Sequence, residues 1–205
     1  MNCPRLVRPR SLPGLSVLLL LIGIAGCDGG AGIVIVPELS VVEGFENGFG
    51  AWTVAGLDTE VSGQASVGEI VEGDGSEGNR SARLRLASPT GTGKLWIERA
   101  FMLTPERSYV VSITLDVRAL EAGAGEAWRV LAGAHTEPPR SNAVLAIQDA
   151  IVPPADTDWA SHAYTVRADA DEEGQLFVAI GVWSVTAGTR SHDFDAIQIS
   201  FTRAN

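Results

Sequence analysis

One stretch, SYVVSITLDVR at residues 108–118, constrains the fold of this chain more than any other. Tyr109, Val111, Ile113, Leu115 and Val117 fall on one side. Ser112, Thr114, Asp116 and Arg118 fall on the other. A period of two with one apolar side is a strand buried on one face. QLFVAIGVWSV at 175–185 repeats the pattern, with Leu176, Val178, Ile180 and Val182 inward and Phe177, Ala179, Gly181 and Trp183 outward. Similar runs over 51–56, 65–71, 82–87, 95–103, 127–134, 143–148, 161–168 and 194–203 are separated by Gly, Pro, Asp and Asn. The nearest approach to an amphipathic helix, ALEAGAGEA at 119–127, is broken by Gly123 and Gly125. About ten short strands joined by turns predict an all-β fold, an antiparallel β-sandwich of the jelly-roll kind.

The first residues have a different character. Arg5, Arg8 and Arg10 precede an apolar run over 15–24, and Ala25 and Gly26 follow it. This is the layout of a cleaved secretory signal peptide. The run falls short of the ~18–20 residues that span a bilayer as a helix. Ile24-Ala25-Gly26-Cys27 resembles a bacterial lipobox, and the resemblance implies cleavage before Cys27 and acylation of its sulfur. Two or three acyl chains anchor stably, because each buried CH₂ contributes ~0.8 kcal/mol. The expected division is therefore a leader at 1–26, a lipidated Cys27 with a short tether at 27–32, and a sandwich at 33–205. The expected location is a membrane surface outside the cytoplasm, periplasmic or at the cell surface.

Without the leader, 12 basic and 25 acidic residues remain. So acidic a chain is a poor partner for nucleic acid, which needs a basic surface. Cys3 lies in the leader and Cys27 is committed to lipid, so neither a disulfide nor a thiolate zinc site is expected. His135, His162 and His192 lie in separate segments outside any nucleophile or zinc motif, and no catalytic residue is expected.

Four segments in order carry a family signal. EGFENGFGAWTV (43–54) resembles the F-E-x-G…W opening of family 4/9-type carbohydrate-binding modules, members of the galactose-binding-like superfamily. EGNRSARLRL (77–86) resembles their S-G-x-x-S-L-x-V strand. FMLTPERSYVVSITLDVRA (101–119) resembles L-x-P-G-x-x-Y-x-x-S-x-x-V-x-A. DWASHAYTVRA (158–168) and HDFDAIQIS (192–200) resemble the closing pair of strands. Glu106 stands where the family has a turn glycine, and Ala196 stands where it has a second aspartate.

The resemblance implies a structural calcium where the opening segment meets the closing strand. By position, Glu46 and Asp195 offer carboxylates, Gly44 offers a carbonyl, and Glu77 is the acid nearest the loop before Ser81. Calcium takes six to eight oxygens in irregular geometry. Trp52 and Trp159 match positions that pack in or beside the core.

Sugar recognition needs exposed rings for stacking and fixed polar partners for hydroxyls. The outward face of 175–185 offers Trp183, and that of 108–118 offers Asp116 and Arg118. Placed in one sheet, the two strands form an aromatic and charged surface, which Trp96 with Glu98 can join. Trp128 sits in a strand without a decisive pattern. The expected function is a membrane-anchored, non-catalytic envelope lipoprotein whose domain binds glycan or polysaccharide. The alternative is a structural or protein-interaction sandwich, served by an envelope protein partner in place of a sugar.

Overall fold

The computed structural model describes residues 38–59, 66–121, 128–142 and 158–204, together with the backbone of 148–152. The leader, Cys27 and the tether lie outside the described residues. Eleven strands are found among those described: β1 (Leu39–Glu43), β2 (Thr53–Leu57), β3 (Val67–Glu72), β4 (Arg80–Ser88), β5 (Lys94–Met102), β6 (Ser108–Ala119), β7 (Trp128–His135), β8 (Gln148–Val152), β9 (Ala160–Asp169), β10 (Gln175–Ser184) and β11 (Gly188–Arg203). One sheet, here sheet A, runs β3-β4-β11-β6-β9, and β1 also pairs with β11. Sheet B runs β2-β5-β10-β7-β8. All pairings are antiparallel. The chain is the antiparallel β-sandwich its alternation predicts.

The inward rows fill the space between the sheets. Tyr109, Val111, Ile113, Leu115 and Val117 of β6 are buried, as are Leu176, Val178, Ile180 and Val182 of β10. Phe101 lies between Trp52 and Phe201, with ring centroids 6.4 and 4.9 Å away. Burying each large apolar side chain contributes ~1.5–3 kcal/mol, and each aromatic pair adds ~0.5–1.5 kcal/mol. Trp52 is therefore a core residue, as its position implies.

The strand β1 was not expected. Leu39 and Val41 face inward, but the outward residue Val42 is also apolar and blurs the period of two. It occupies the part of β11 that β4 leaves free: β4 pairs with Gly188–Phe194 and β1 with Ile197–Phe201. The strand expected over 143–148 falls outside the described residues except for Gln148, which opens β8.

Glu38 fastens the chain where it enters β1. Its carboxylate accepts hydrogen bonds from Arg203 Nε at 2.6 Å, Thr104 Oγ1 at 2.9 Å, the Thr104 amide at 3.1 Å and the Tyr109 hydroxyl at 3.1 Å. Nearby, Glu106 adopts φ 54° in the turn before β6. The backbone there is left-handed, which accounts for a glycine in the resembled family, and this chain holds the same turn with a glutamate.

Candidate functional site

The outward face of sheet B collects polar and aromatic side chains among small ones. Cross-strand register puts Trp96 beside Gly181 and Ala55, Glu98 beside Ala179 and Thr53, and Lys94 beside Trp183 and Leu57. From β7 the same face receives Arg129, Leu131, Gly133 and His135. The alanines and glycines keep the centre of the face low. A Cβ on Gly181 would stand 2.1 Å from the Leu95 carbonyl oxygen and 2.7 Å from the Trp96 Cβ, so only glycine lets β5 lie this close.

Trp96 is nevertheless fully buried and Glu98 is 5% exposed. The Trp96 indole N–H donates to Glu98 Oε2 at 2.9 Å. Segment 136–142, which follows β7, reaches across and presents Arg140. The guanidinium forks onto Glu98, donating to Oε2 at 2.7 Å and closely to Oε1. Burial pushes the Glu98 carboxyl upward. The hydrogen bonds from Arg140 and Trp96, with the charges of Arg140 and His135, outweigh that and hold it below the ordinary carboxylate range. Asn142, two residues on, accepts a hydrogen bond from Lys94 Nζ at 2.7 Å. Trp183 stays half-buried at one end of the face. Lys94 Nζ lies 4.7 Å and the Arg129 guanidinium 5.2 Å from its ring centroid, arriving from the strands on either side. Beyond Leu57 the row opens into a cleft of about 710 Å³, lined by Leu57, Asp58, Thr59, Pro89, Thr90 and Thr92.

The other expected sugar contacts lie elsewhere. Strand β6 belongs to sheet A and β10 to sheet B, so Asp116 and Arg118 do not share a face with Trp183. Asp116 accepts from Ser161 Oγ at 2.6 Å. Arg118 donates to Asp193 Oδ2 at 2.7 Å and lies 4.9 Å over the Trp159 ring, which is therefore packed beside the sandwich as expected. Arg83 forks onto the same fully buried Asp193 at 2.7 and 3.0 Å, and Asp74 lies near both arginines. Trp128 points into the core, 4% exposed, with its ring 5.5 Å from that of His192. Alternation could not place Asp116 and Arg118, because it does not say which strands share a sheet, and Trp128 opens a strand buried on both faces, which leaves no period to read. Arg140 carried no signal at all, standing alone after Pro138 and Pro139.

Glu46, Asp195, Gly44 and Glu77 do come together, around the loop between β3 and β4. Glu46 Oε1 accepts the amides of Asn79 at 2.7 Å and Arg80 at 2.9 Å. Asp195 Oδ2 accepts those of Ser76 at 2.8 Å and Glu77 at 2.9 Å. Gly78, with φ +90°, sits so close to Glu46 that a Cβ would lie 2.3 Å from Oε1. A β-bulge between Asp195 and Gln198, with Ala196 at φ 49°, turns the closing strand here.

Whether this loop suits calcium turns on the oxygens left over. Asp195 is fully buried, and its Oδ1 has no hydrogen-bond partner among the described residues. A Cβ on Gly44 would lie 3.7 Å from that Oδ1 and 3.9 Å from the Glu77 carbonyl oxygen. An orphaned buried carboxylate oxygen beside a carbonyl suits a hard cation. Among the described residues no three His, Cys, Asp or Glu side chains converge, so backbone oxygens and water would supply the remaining ligands.

No family model matches the chain, and no curated protein matches it. Solved structures do. A cyclase from Fischerella sp. TAU aligns at TM-score 0.53 and 16% identity over 82% of this chain and all of the other. The CBM22-2 xylan-binding domain of Paenibacillus barcinonensis Xyn10C aligns at 0.50 and 16%, over 78% and 98%. The K1 cleaved adhesin domain of Lys-gingipain from Porphyromonas gingivalis W83 aligns at 0.50 and 15%, over 78% and 97%. At such identities the likeness is one of fold: this chain has the jelly-roll β-sandwich that a carbohydrate-binding module, an adhesin domain and a cyclase also use.

Proposed function

We propose that this chain is a non-catalytic glycan-binding sandwich held at a membrane surface by an acylated Cys27. One observation carries the sugar reading. The outward face of sheet B sets two tryptophans, one carboxylate and two cations among alanines and glycines. Of the two rings Trp183 has accessible surface for C–H faces, and the charged groups around it are fixed partners for hydroxyls. The xylan-binding domain of like fold supports the choice of ligand class. Trp183 is the residue at the accessible end of that face. Lys94 and Arg129 flank its ring, so a sugar stacking there displaces one of them. Asp116 and Arg118 are no part of this surface.

Affinity electrophoresis of the full chain in detergent, through gels containing xylan, galactan or mannan, tests the reading. Retardation that Trp183→Ala abolishes supports it. Retardation that the substitution leaves unchanged moves the site away from Trp183. Absence of retardation in every gel returns the domain to a protein-interaction role.

Two further parts of the proposal stand on separate tests. Cys27→Ser releases the chain from the membrane fraction if the thioether anchor forms, and membrane pelleting of that variant would refute it. Calcium, if held at the β3–β4 loop, would take Asp195 Oδ1 with the Glu77 and Gly44 carbonyls, and it would neutralise a buried carboxylate. Added calcium then raises the melting temperature and EDTA reverses the rise. An unchanged melting curve in both counts against the site.

A further inference from the structure

We infer that Arg140 is a built-in competitor for the ligand: it occupies the Glu98 carboxylate and closes segment 136–142 over Trp96. The inference deepens the glycan reading above and rests on it for the identity of the ligand.

The fastening of this segment has an unusual character. Side chains tie it to the sheet, through Arg140 on Glu98 and Asn142 on Lys94. Among the described residues, no backbone–backbone hydrogen bond joins 137–142 to sheet B. Of residues 136–142 only Pro139 is buried, and segments with few backbone bonds and little buried apolar surface open at smaller cost than the sheet. The Arg140 side chain is also 60% exposed, while that of Glu98 is 6% exposed. Water competes at the arginine end, which screens the pair and lowers the cost of releasing the guanidinium.

Beneath the latch lies a constellation suited to a sugar. Trp96 lies beside Gly181 in register and packs with Leu131, Ala179, Ala55 and Leu57 along the same face. Glu98 is fixed by the Trp96 N–H on one oxygen and offers both oxygens outward to a forked donor. The guanidinium supplies two near-parallel N–H groups. A pair of vicinal hydroxyls on a pyranose supplies two O–H groups at similar separation. Removing Arg140 without a replacement leaves a buried carboxylate short of donors, which is unfavourable. A diol that takes both positions restores the hydrogen bonds and stacks its ring on Trp96. No bond is made or broken, and the arginine swings into water. The face is thus selective for ligands with adjacent gauche hydroxyls, because a single hydroxyl cannot replace the fork.

The test compares the full chain with Arg140→Ala in two measurements. The first is hydrogen exchange of the Trp96 indole N–H, followed by NMR. The second is affinity electrophoresis in xylan, galactan and mannan gels. Loss of the latch should speed indole exchange and strengthen retardation, each by about five-fold, the factor equivalent to roughly 1 kcal/mol. Glu98→Gln in the Arg140→Ala background keeps the side-chain volume, and a melting curve checks its fold. It should cancel the gain in retardation. Unchanged indole exchange in Arg140→Ala overturns the latch. Faster exchange with unaltered retardation overturns the competition with ligand. If neither protein is retarded, the glycan reading fails, while faster exchange still supports Arg140 as the closure of this face.

Discussion

Both sheets of the sandwich carry a loop fastened to them, but by different means. On sheet A, carboxylates reach directly for backbone and for paired arginines. Asp195 and Glu46 each accept two amides of the β3–β4 loop, and Asp193 is fully buried between Arg83 and Arg118. On sheet B, the side chains of Arg140 and Asn142 fasten segment 136–142 to the sheet among the described residues. Bonds to backbone fix a loop in one geometry, whereas a half-exposed ion pair can be exchanged for another partner. The sandwich thus has one permanent face and one that can be vacated.

Substitution at the buried aspartate should break this contrast most severely. Asp193→Ala leaves two arginines facing each other at low exposure, and the expected loss is about 3–5 kcal/mol in urea unfolding. A loss under about 1 kcal/mol would mean that the arginines find water instead, and that sheet A is no more firmly closed than sheet B.

Acid probes the same side from within. Burial lowers the pKa of His192 to about 4, against the attraction of Asp193. The native state keeps this imidazole neutral while the unfolded chain protonates it near 6.5. Stability is therefore complete above about pH 6.5 and falls towards pH 4, by up to roughly 3 kcal/mol. Replacement by a neutral residue, as in His192→Gln, should flatten that part of the pH–stability curve. A wild-type curve already flat between pH 6.5 and 4 would contradict the neutral, buried state.

Smaller changes sharpen the comparison. Asp195→Ala removes the acceptor of two loop amides and should cost about 2 kcal/mol. It should also raise amide exchange over residues 73–80 without affecting Trp96. Arg140→Ala leaves Glu98 with the indole N–H and should cost about 1–2 kcal/mol, and it should do the reverse, loosening 136–142 and leaving 73–80 protected. Were the two variants to loosen both loops alike, the faces would be coupled rather than independent.

Much of this architecture was legible from alternation. Tyr109 to Val117 and Leu176 to Val182 read as inward rows because burial on one face imposes a period of two. The strand β1 did not, since five residues with an apolar Val42 outside carry too little contrast. Sheet membership is a different matter. Asp116 and Trp183 are outward on their own strands, yet they sit on opposite sides of the molecule, because strand pairing is decided by long connections and by the packing of the whole core. The β3–β4 loop was reached only through family resemblance: nothing in the spacing of Glu46 and Asp195 shows that both will turn to the same amides. Arg140 was invisible because its meaning depends entirely on where a loop comes to rest.

The clamp at Glu38 has a mechanical consequence. If the chain is tethered through Cys27, any pull from the membrane enters the sandwich at β1. That strand is short, with five residues paired along β11, and unaided it would peel first. Glu38 stands at the point of loading, with donors from the last strand, the β5–β6 turn and β6. It spreads tension over three elements before the ladder feels it, as strain relief does where a cable meets its housing. Resistance to such a pull is set by the rate of unfolding rather than by equilibrium stability. A domain anchored at one end can therefore be mechanically durable through a single carboxylate at its threshold.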